Sequence, residues 1–76
     1  MKPKFNPGDV VIYTGDNRTY LYIHKIEGND YRTQFCYADG KLRKDMAIDR
    51  YDFEWSHKNF ALVKSGKKTN HFPSWF

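Results

Sequence analysis

The sequence contains one cysteine, three prolines and no long hydrophobic run. A single cysteine, Cys36, excludes an internal disulfide framework and argues against a metal site built from thiolates. No apolar stretch approaches the roughly 20 residues of a membrane-spanning helix, and the amino-terminal segment lacks the apolar core of a signal peptide. We therefore expect a cytoplasmic protein that does not enter a membrane.

The sequence is rich in aromatic residues, with six Phe, six Tyr and two Trp among 76 residues. A chain of this length forms one domain with a thin core. Each aromatic side chain buries about 150–250 Å², so a few of them can stabilise a small fold. We expect the domain to cover residues 1–63 and to be followed by a basic, aromatic tail, residues 64–76.

The net charge of +4 comes from the two ends of the chain. Residues 1–8 carry two lysines and residues 64–76 carry three, whereas residues 9–63 carry eight Lys and Arg against nine Asp and Glu. A basic protein is a candidate for nucleic-acid binding, but a body close to neutrality does not present a strong field to phosphates. The charge alone therefore leaves the class of partner open.

Short stretches rich in β-branched and aromatic residues alternate with turn sequences, a pattern that predicts β-strands. The predicted strands are residues 9–14, 19–26, 31–38, 41–48 and 60–63. The Asp39–Gly40 pair is the strongest hairpin signal in the chain. The segment between the fourth and fifth strands is irregular and predicts a short 3₁₀ or helical turn. The sequence therefore predicts an all-β fold.

Alternation along the strands predicts which side chains are buried. The predicted core consists of Val11, Leu21, Ile23, Phe35, Met46, Ile48, Phe60 and Leu62. In the first strand the opposite register, with Val10 and Ile12 facing the core, stays open. The five short strands with tight turns favour a small closed or nearly closed barrel.

The stretch FNPGDVVIYT resembles the opening strand of the SH3-like small-barrel superfold, which includes KOW-type domains and small bacterial proteins with a PGDVV start. The number of strands, the hairpin and the turn before a short last strand are also similar, over about residues 5–63. The resemblance implies a five-stranded SH3-like barrel with a short 3₁₀ or helical turn before the last strand. It also implies a binding module, for either protein or nucleic acid.

Catalytic and metal-binding chemistry have little support in the sequence. Cys36 and His24 lie on adjacent predicted strands, but nucleophilic catalysis needs a third, orienting group and a local signature that the chain lacks. His24, His57 and His71 lie far apart, without the close spacing of zinc ligands. We expect no enzymatic activity, no cofactor and no metal.

A protein partner is the favoured hypothesis, because exposed aromatic residues are enriched at interaction hot spots. The candidate residues are Tyr20, Tyr22, Trp55, Phe72, Trp75 and Phe76. The protein would then be an adaptor or regulator, of the kind that phages and mobile elements encode. An exposed edge strand could also pair with a second copy of the chain.

Binding to single-stranded nucleic acid is the alternative, because small barrels bind single strands by combining basic grooves with stacking aromatics. The candidate residues are Tyr20, Tyr22, His24, Arg32, Arg43, Lys67 and Lys68. The tyrosines could instead only cover the second face of the sheet, with their hydroxyls in water.

Overall fold

The computed structural model describes residues 2–66, which form one five-stranded antiparallel sheet and one short helix. The elements are β1 (Val10–Tyr13), β2 (Tyr20–Glu27), β3 (Asp30–Cys36), β4 (Ile48–Asp52), α1 (Phe53–Asn59) and β5 (Phe60–Lys64). Their order in the sheet is β4-β3-β2-β1-β5. The predicted predominance of strands is confirmed. The predictions for the tail concern residues outside this range: Lys67, Lys68, His71, Phe72, Trp75 and Phe76.

The sequence NPGD before β1 forms the expected turn. The backbone N–H of Asp9 donates to the carbonyl of Asn6 at 3.0 Å, and Gly8 has a φ of 94°, which favours glycine. The buried carboxylate of Asp9 accepts the N–H of Asn6 through Oδ2 at 2.9 Å and that of Gly66 through Oδ1 at 2.8 Å. One side chain therefore joins the start of the sheet to the segment that follows β5.

The prediction of a fourth strand over residues 41–48 is wrong, because β4 begins only at Ile48. The turn at Asp39–Gly40 forms, but it is followed by a single isolated bridge between Cys36 and Leu42. The segment then turns again, and the side-chain amide of Gln34 donates to the carbonyls of Arg43 at 3.1 Å and Met46 at 3.3 Å. The carbonyl of Arg43 also accepts the backbone N–H of Met46 at 3.0 Å, so the segment turns back on itself and is a loop.

The sequence predicts a short 3₁₀ or helical turn before the last strand. The structure has a helix at this position, α1, which is longer than a single turn. Asp52 caps its amino terminus, and Phe53 and Ser56 are its buried residues. A seven-residue helix is only about 10 Å long. Because α1 joins β4 to β5, the two edges of the sheet, the sheet must curl so that these edges approach each other.

The barrel is nevertheless not closed. The strands β4 and β5 are the two edges of the sheet and do not pair with each other. Leu62 pairs with Val11 and therefore shares its face, yet Leu62 is 53% exposed. This part of the inner face is therefore exposed to solvent.

The predicted core is confirmed at Val11, Leu21, Ile23 and Phe60, which are buried. It is wrong at Leu62, and at Ile48, which begins an edge strand and is 48% exposed. Phe35 and Met46 are only half-buried. The core also contains three large side chains that the sequence did not single out: Phe5, Tyr31 and Phe53.

The sequence left open which face of β1 points to the core. In the structure both faces of β1 carry a buried valine. Val11 packs in the core, whereas Val10 is buried outside that cluster. Val10 lies beside Gly40, so the loop after β3 covers the outer face of β1 at this point. Ile12 is half-buried.

Within residues 2–66, no helix has the length and apolarity needed to cross a membrane.

Candidate functional site

The open end of the curled sheet contains a cavity of about 330 Å³, called here the aromatic cavity. Every strand and the helix contribute one side chain to its wall: Tyr13, Leu21, Phe35, Tyr51, Trp55 and Phe60. Asp16 and Thr19, from the loop between β1 and β2, complete the lining. Ligand sites are typically concave, with apolar walls and a few polar groups, as here.

Trp55 lies at the centre of this wall. Its ring stacks on Tyr13 at a centroid distance of 5.9 Å and on Tyr51 at 5.3 Å, with interplanar angles of 17° and 19°. Phe60 contacts it edge-on at 5.4 Å. Despite these three neighbours Trp55 remains 40% exposed. A large aromatic side chain that is held in place and still meets solvent is suited to contact a partner.

The position of Trp55 is fixed by hydrogen bonds to its own backbone. Its N–H donates to Oδ1 of Asp52 at 2.7 Å, the helix-capping interaction of α1. Its carbonyl accepts the side-chain amide of Asn59 at 2.8 Å. The indole therefore projects from a helix turn that is held at both ends.

Tyr13 is positioned by the loop that follows β1. Its N–H donates to the carbonyl of Thr19 at 2.8 Å, and its carbonyl accepts the N–H of Asn17 at 2.9 Å. The tyrosine ring lies directly over Gly15, where a Cβ would be 2.4 Å from the ring carbon Cζ. The glycine therefore leaves the space that the ring needs.

The one acidic side chain in the lining, Asp16, is held by three hydrogen bonds. Its Oδ1 accepts the N–H groups of Arg18 at 2.9 Å and Thr19 at 3.1 Å, and its Oδ2 accepts the hydroxyl of Thr19 at 2.6 Å. The bond from the Thr19 hydroxyl, followed by that from the Arg18 N–H, lowers the pKa of Asp16. The aromatic cavity therefore carries a fixed negative charge at neutral pH.

A second, more polar cavity of about 390 Å³ holds two of the candidate nucleic-acid residues. Tyr22 and His24 line it together with Lys64, and their rings contact edge-on at 5.0 Å. His24 also bonds to Oε1 of Gln34 at 2.8 Å. The structure thus brings two rings and one lysine together on the outer face of the sheet.

The other described candidates for nucleic-acid binding lie elsewhere. Arg32 pairs with Glu27 at 3.2 Å. Arg43 lies over the ring of Tyr37 and lines a third cavity, of about 200 Å³, with Tyr20. The candidates from the sequence are therefore divided among three places and do not form one basic surface.

Cys36 and His24 are not brought together as a catalytic pair. The register places Cys36 opposite Tyr20, whereas His24 bonds to Gln34. Burial, followed by the charge of Asp39, raises the pKa of Cys36 to about 11, so its thiol is protonated at neutral pH. No group of three His, Cys, Asp or Glu side chains within residues 2–66 could hold a metal ion.

Of the residues in the aromatic cavity, the sequence identified only Trp55 as a binding candidate. Tyr51 precedes Trp55 by four residues, a spacing that brings side chains together on a helix, but Tyr51 belongs to β4. Tyr13 and Phe35 come from distant strands and can be assigned to the site only from the topology. Comparisons of the chain with protein-family models, curated proteins and solved structures found no match.

Proposed function

We propose that the protein is a non-enzymatic interaction module that binds a protein partner through the aromatic cavity and acts as an adaptor or regulator. The observation that carries this proposal is Trp55, which stacks on two tyrosines and is still 40% exposed. Trp and Tyr dominate interaction hot spots, because they bury a large area with few rotatable bonds. A preorganised aromatic wall reduces the entropy lost on binding.

The topology supports an SH3-like assignment for this module. Five antiparallel strands in the order β4-β3-β2-β1-β5, with a short helix between β4 and β5, agree with the architecture that the opening sequence implies. The gap between the edge strands makes this an open version of such a barrel. Scaffolds of this class differ in function, so the assignment supports binding and does not select the partner.

A non-enzymatic role is supported by the state of the groups that could react. The thiol of Cys36 is buried, and its pKa is raised, which makes it a poor nucleophile. Nε2 of His57 is occupied by the hydroxyl of Tyr31 and the N–H of Lys4. Neither group lines the aromatic cavity.

Single-stranded nucleic acid is the second candidate, and the polar cavity with Tyr22, His24 and Lys64 is the observation that favours it. Each stacked base contributes about 1–3 kcal/mol, so two rings could hold a short segment. The protein partner is preferred because Arg32 is already paired with Glu27 and Arg43 lies in a different cavity. Too few cations remain beside the two rings for strong phosphate binding.

Affinity capture from lysate of the native cells tests the proposal, with nuclease treatment in parallel. The chain is used unchanged and as the Trp55→Ala and Tyr22→Ala variants, each checked for folding by thermal unfolding. We expect a protein that survives nuclease, is lost with Trp55→Ala and is retained with Tyr22→Ala. Loss of all captured protein after nuclease, or loss with Tyr22→Ala alone, would refute the proposal.

A further inference from the structure

The aromatic cavity combines ring faces with negative charge. The carboxylate of Asp16 lines it beside Tyr13 and Trp55. Within residues 2–66, no Lys, Arg or His nitrogen lies within ion-pairing distance of this carboxylate. In addition to hydrogen bonding, the charge of Arg18 helps to lower the pKa of Asp16, but Arg18 forms no ion pair with it and lines the adjoining cavity that contains Tyr20. The charge on Asp16 is therefore available to a ligand.

A second carboxylate, on the edge strand β4, acts on the same wall. Asp49 lies in β4, two residues before Tyr51. Burial, and then the charge of Asp49, raises the pKa of the Tyr51 phenol. Negative potential therefore reaches the aromatic cavity both from the loop after β1 and from β4.

Aromatic faces and carboxylates attract the same kind of group, a cation. The face of an aromatic ring is the negative end of its quadrupole, and a cation over Trp or Tyr gains further when it is partly desolvated. A planar guanidinium can stack flat on a ring while its N–H groups bond to a carboxylate, whereas an ammonium is a compact, strongly hydrated point charge. Tyr13 and Tyr51 stack on Trp55, all three rings line the cavity, and Trp55 remains 40% exposed to a ligand.

We propose that the aromatic cavity binds an arginine side chain of the protein partner, with the guanidinium stacked on the aromatic wall and bonded to Asp16. This inference rests on the proposed function and gives the partner a chemical feature, an exposed arginine on the segment that enters the cavity. The volume of about 330 Å³ accommodates one such side chain with its neighbouring backbone.

A titration followed by NMR tests the inference, with four blocked pentapeptides as probes. The central residue between glycines is arginine, its neutral analogue citrulline, lysine or norleucine. We follow the indole N–H of Trp55, which is distinguished from that of Trp75 by a Trp75→Phe variant, and the amide of Asp16. The arginine peptide should shift both signals, with a Kd at least tenfold below that of the citrulline peptide.

The variant Asp16→Asn should weaken binding of the arginine peptide at least threefold, whereas Asp39→Asn, in the loop after β3, should leave it unchanged. Equal binding of citrulline or lysine, tighter binding of norleucine, or no effect of Asp16→Asn would overturn the inference. So would unshifted signals with all four peptides. The proposed function would survive these results if partner capture still depended on Trp55, and it would fail separately if capture did not.

Discussion

The phenol oxygen of Tyr31 lies 2.7 Å from Nε2 of His57. The same oxygen accepts the backbone N–H groups of Lys4 at 2.8 Å and Phe5 at 3.1 Å. Because the same N–H of Lys4 also donates to Nε2 of His57 at 3.2 Å, Nε2 is an unprotonated acceptor, and the hydroxyl proton of Tyr31 points to it. The amino-terminal segment is thus attached to β3 and α1 through one phenol and a neutral imidazole.

Stability should depend on the protonation of His57. Burial, and then the charge of Lys4, lowers the pKa of His57 from its ordinary value of 6.5. Since the folded state binds this proton less readily than the unfolded state, the stabilisation is complete above pH 6.5 and is lost as the pH falls through the lowered value. We expect the free energy of unfolding, measured with urea, to decrease between pH 7.5 and 5.5.

The variant His57→Gln provides the control for this pH dependence, because a glutamine side chain does not titrate. The free energy of unfolding of this variant should decrease less over the same pH range than that of the unchanged chain. Parallel curves for the two proteins would show that the contact between Tyr31 and His57 is not the sensitive element.

Asp9 should be one of the most sensitive positions for stability. Replacement by alanine removes the carboxylate that accepts the N–H of Asn6 and the buried N–H of Gly66. We expect Asp9→Ala to lower the free energy of unfolding by about 2–4 kcal/mol, and the amide of Gly66 to exchange faster with solvent. The matched variant Asp39→Ala, at an exposed position, should cost less than about 1 kcal/mol. Similar losses for the two variants would contradict this role of Asp9.

We expect a substitution at Gly15 to change the packing in the aromatic cavity more than it changes the free energy of unfolding. An alanine Cβ at Gly15 would lie 2.4 Å from the ring of Tyr13, so that ring must leave its place on Trp55. We expect Gly15→Ala to shift the indole signal of Trp55 and to weaken partner binding severalfold. Gly28→Ala is the control, since it has free space but a φ of 60°. It should cost about 1 kcal/mol of stability without changing the Trp55 signal, and a Trp55 signal that Gly15→Ala leaves unchanged would contradict the packing described.

The strands with regular alternation could be predicted from the sequence because local propensity and burial agree there. The stretches between NPGD and Asp39 are rich in β-branched and aromatic residues. The bounds of β1, β2 and β3 in the structure agree with the predicted bounds to within a few residues. The fourth strand could not be placed in this way. The apolar spacing of Leu42, Met46 and Ile48 resembles that of a strand, although the segment is a loop. The strand β4 itself, with the sequence IDRYD, is mostly charged because it is an edge strand.

The candidate site was predictable only in part, for a topological reason. Trp55 could be recognised as an exposed aromatic in an irregular segment. Its neighbours Tyr13 and Tyr51 lie on β1 and β4, which are distant in the sequence and not adjacent in the sheet, and both contact Trp55 on the helix that joins β4 to β5. The turn that covers Val10 is held by its own backbone bonds, from the N–H of Tyr37 to the carbonyl of Lys41 and from the N–H of Gly40 to the carbonyl of Tyr37.

The dissociation constant of the captured partner for purified variants tests the central claim most directly. The variants are Trp55→Ala, Trp55→Phe and Tyr22→Ala, each compared with the unchanged chain at equal folded fraction. Loss of a hot-spot tryptophan costs at least about 2 kcal/mol, so Trp55→Ala should raise Kd at least tenfold, Trp55→Phe should raise it less, and Tyr22→Ala should change it less than twofold. A Kd that Trp55→Ala leaves unchanged while Tyr22→Ala raises it would contradict binding through the aromatic cavity.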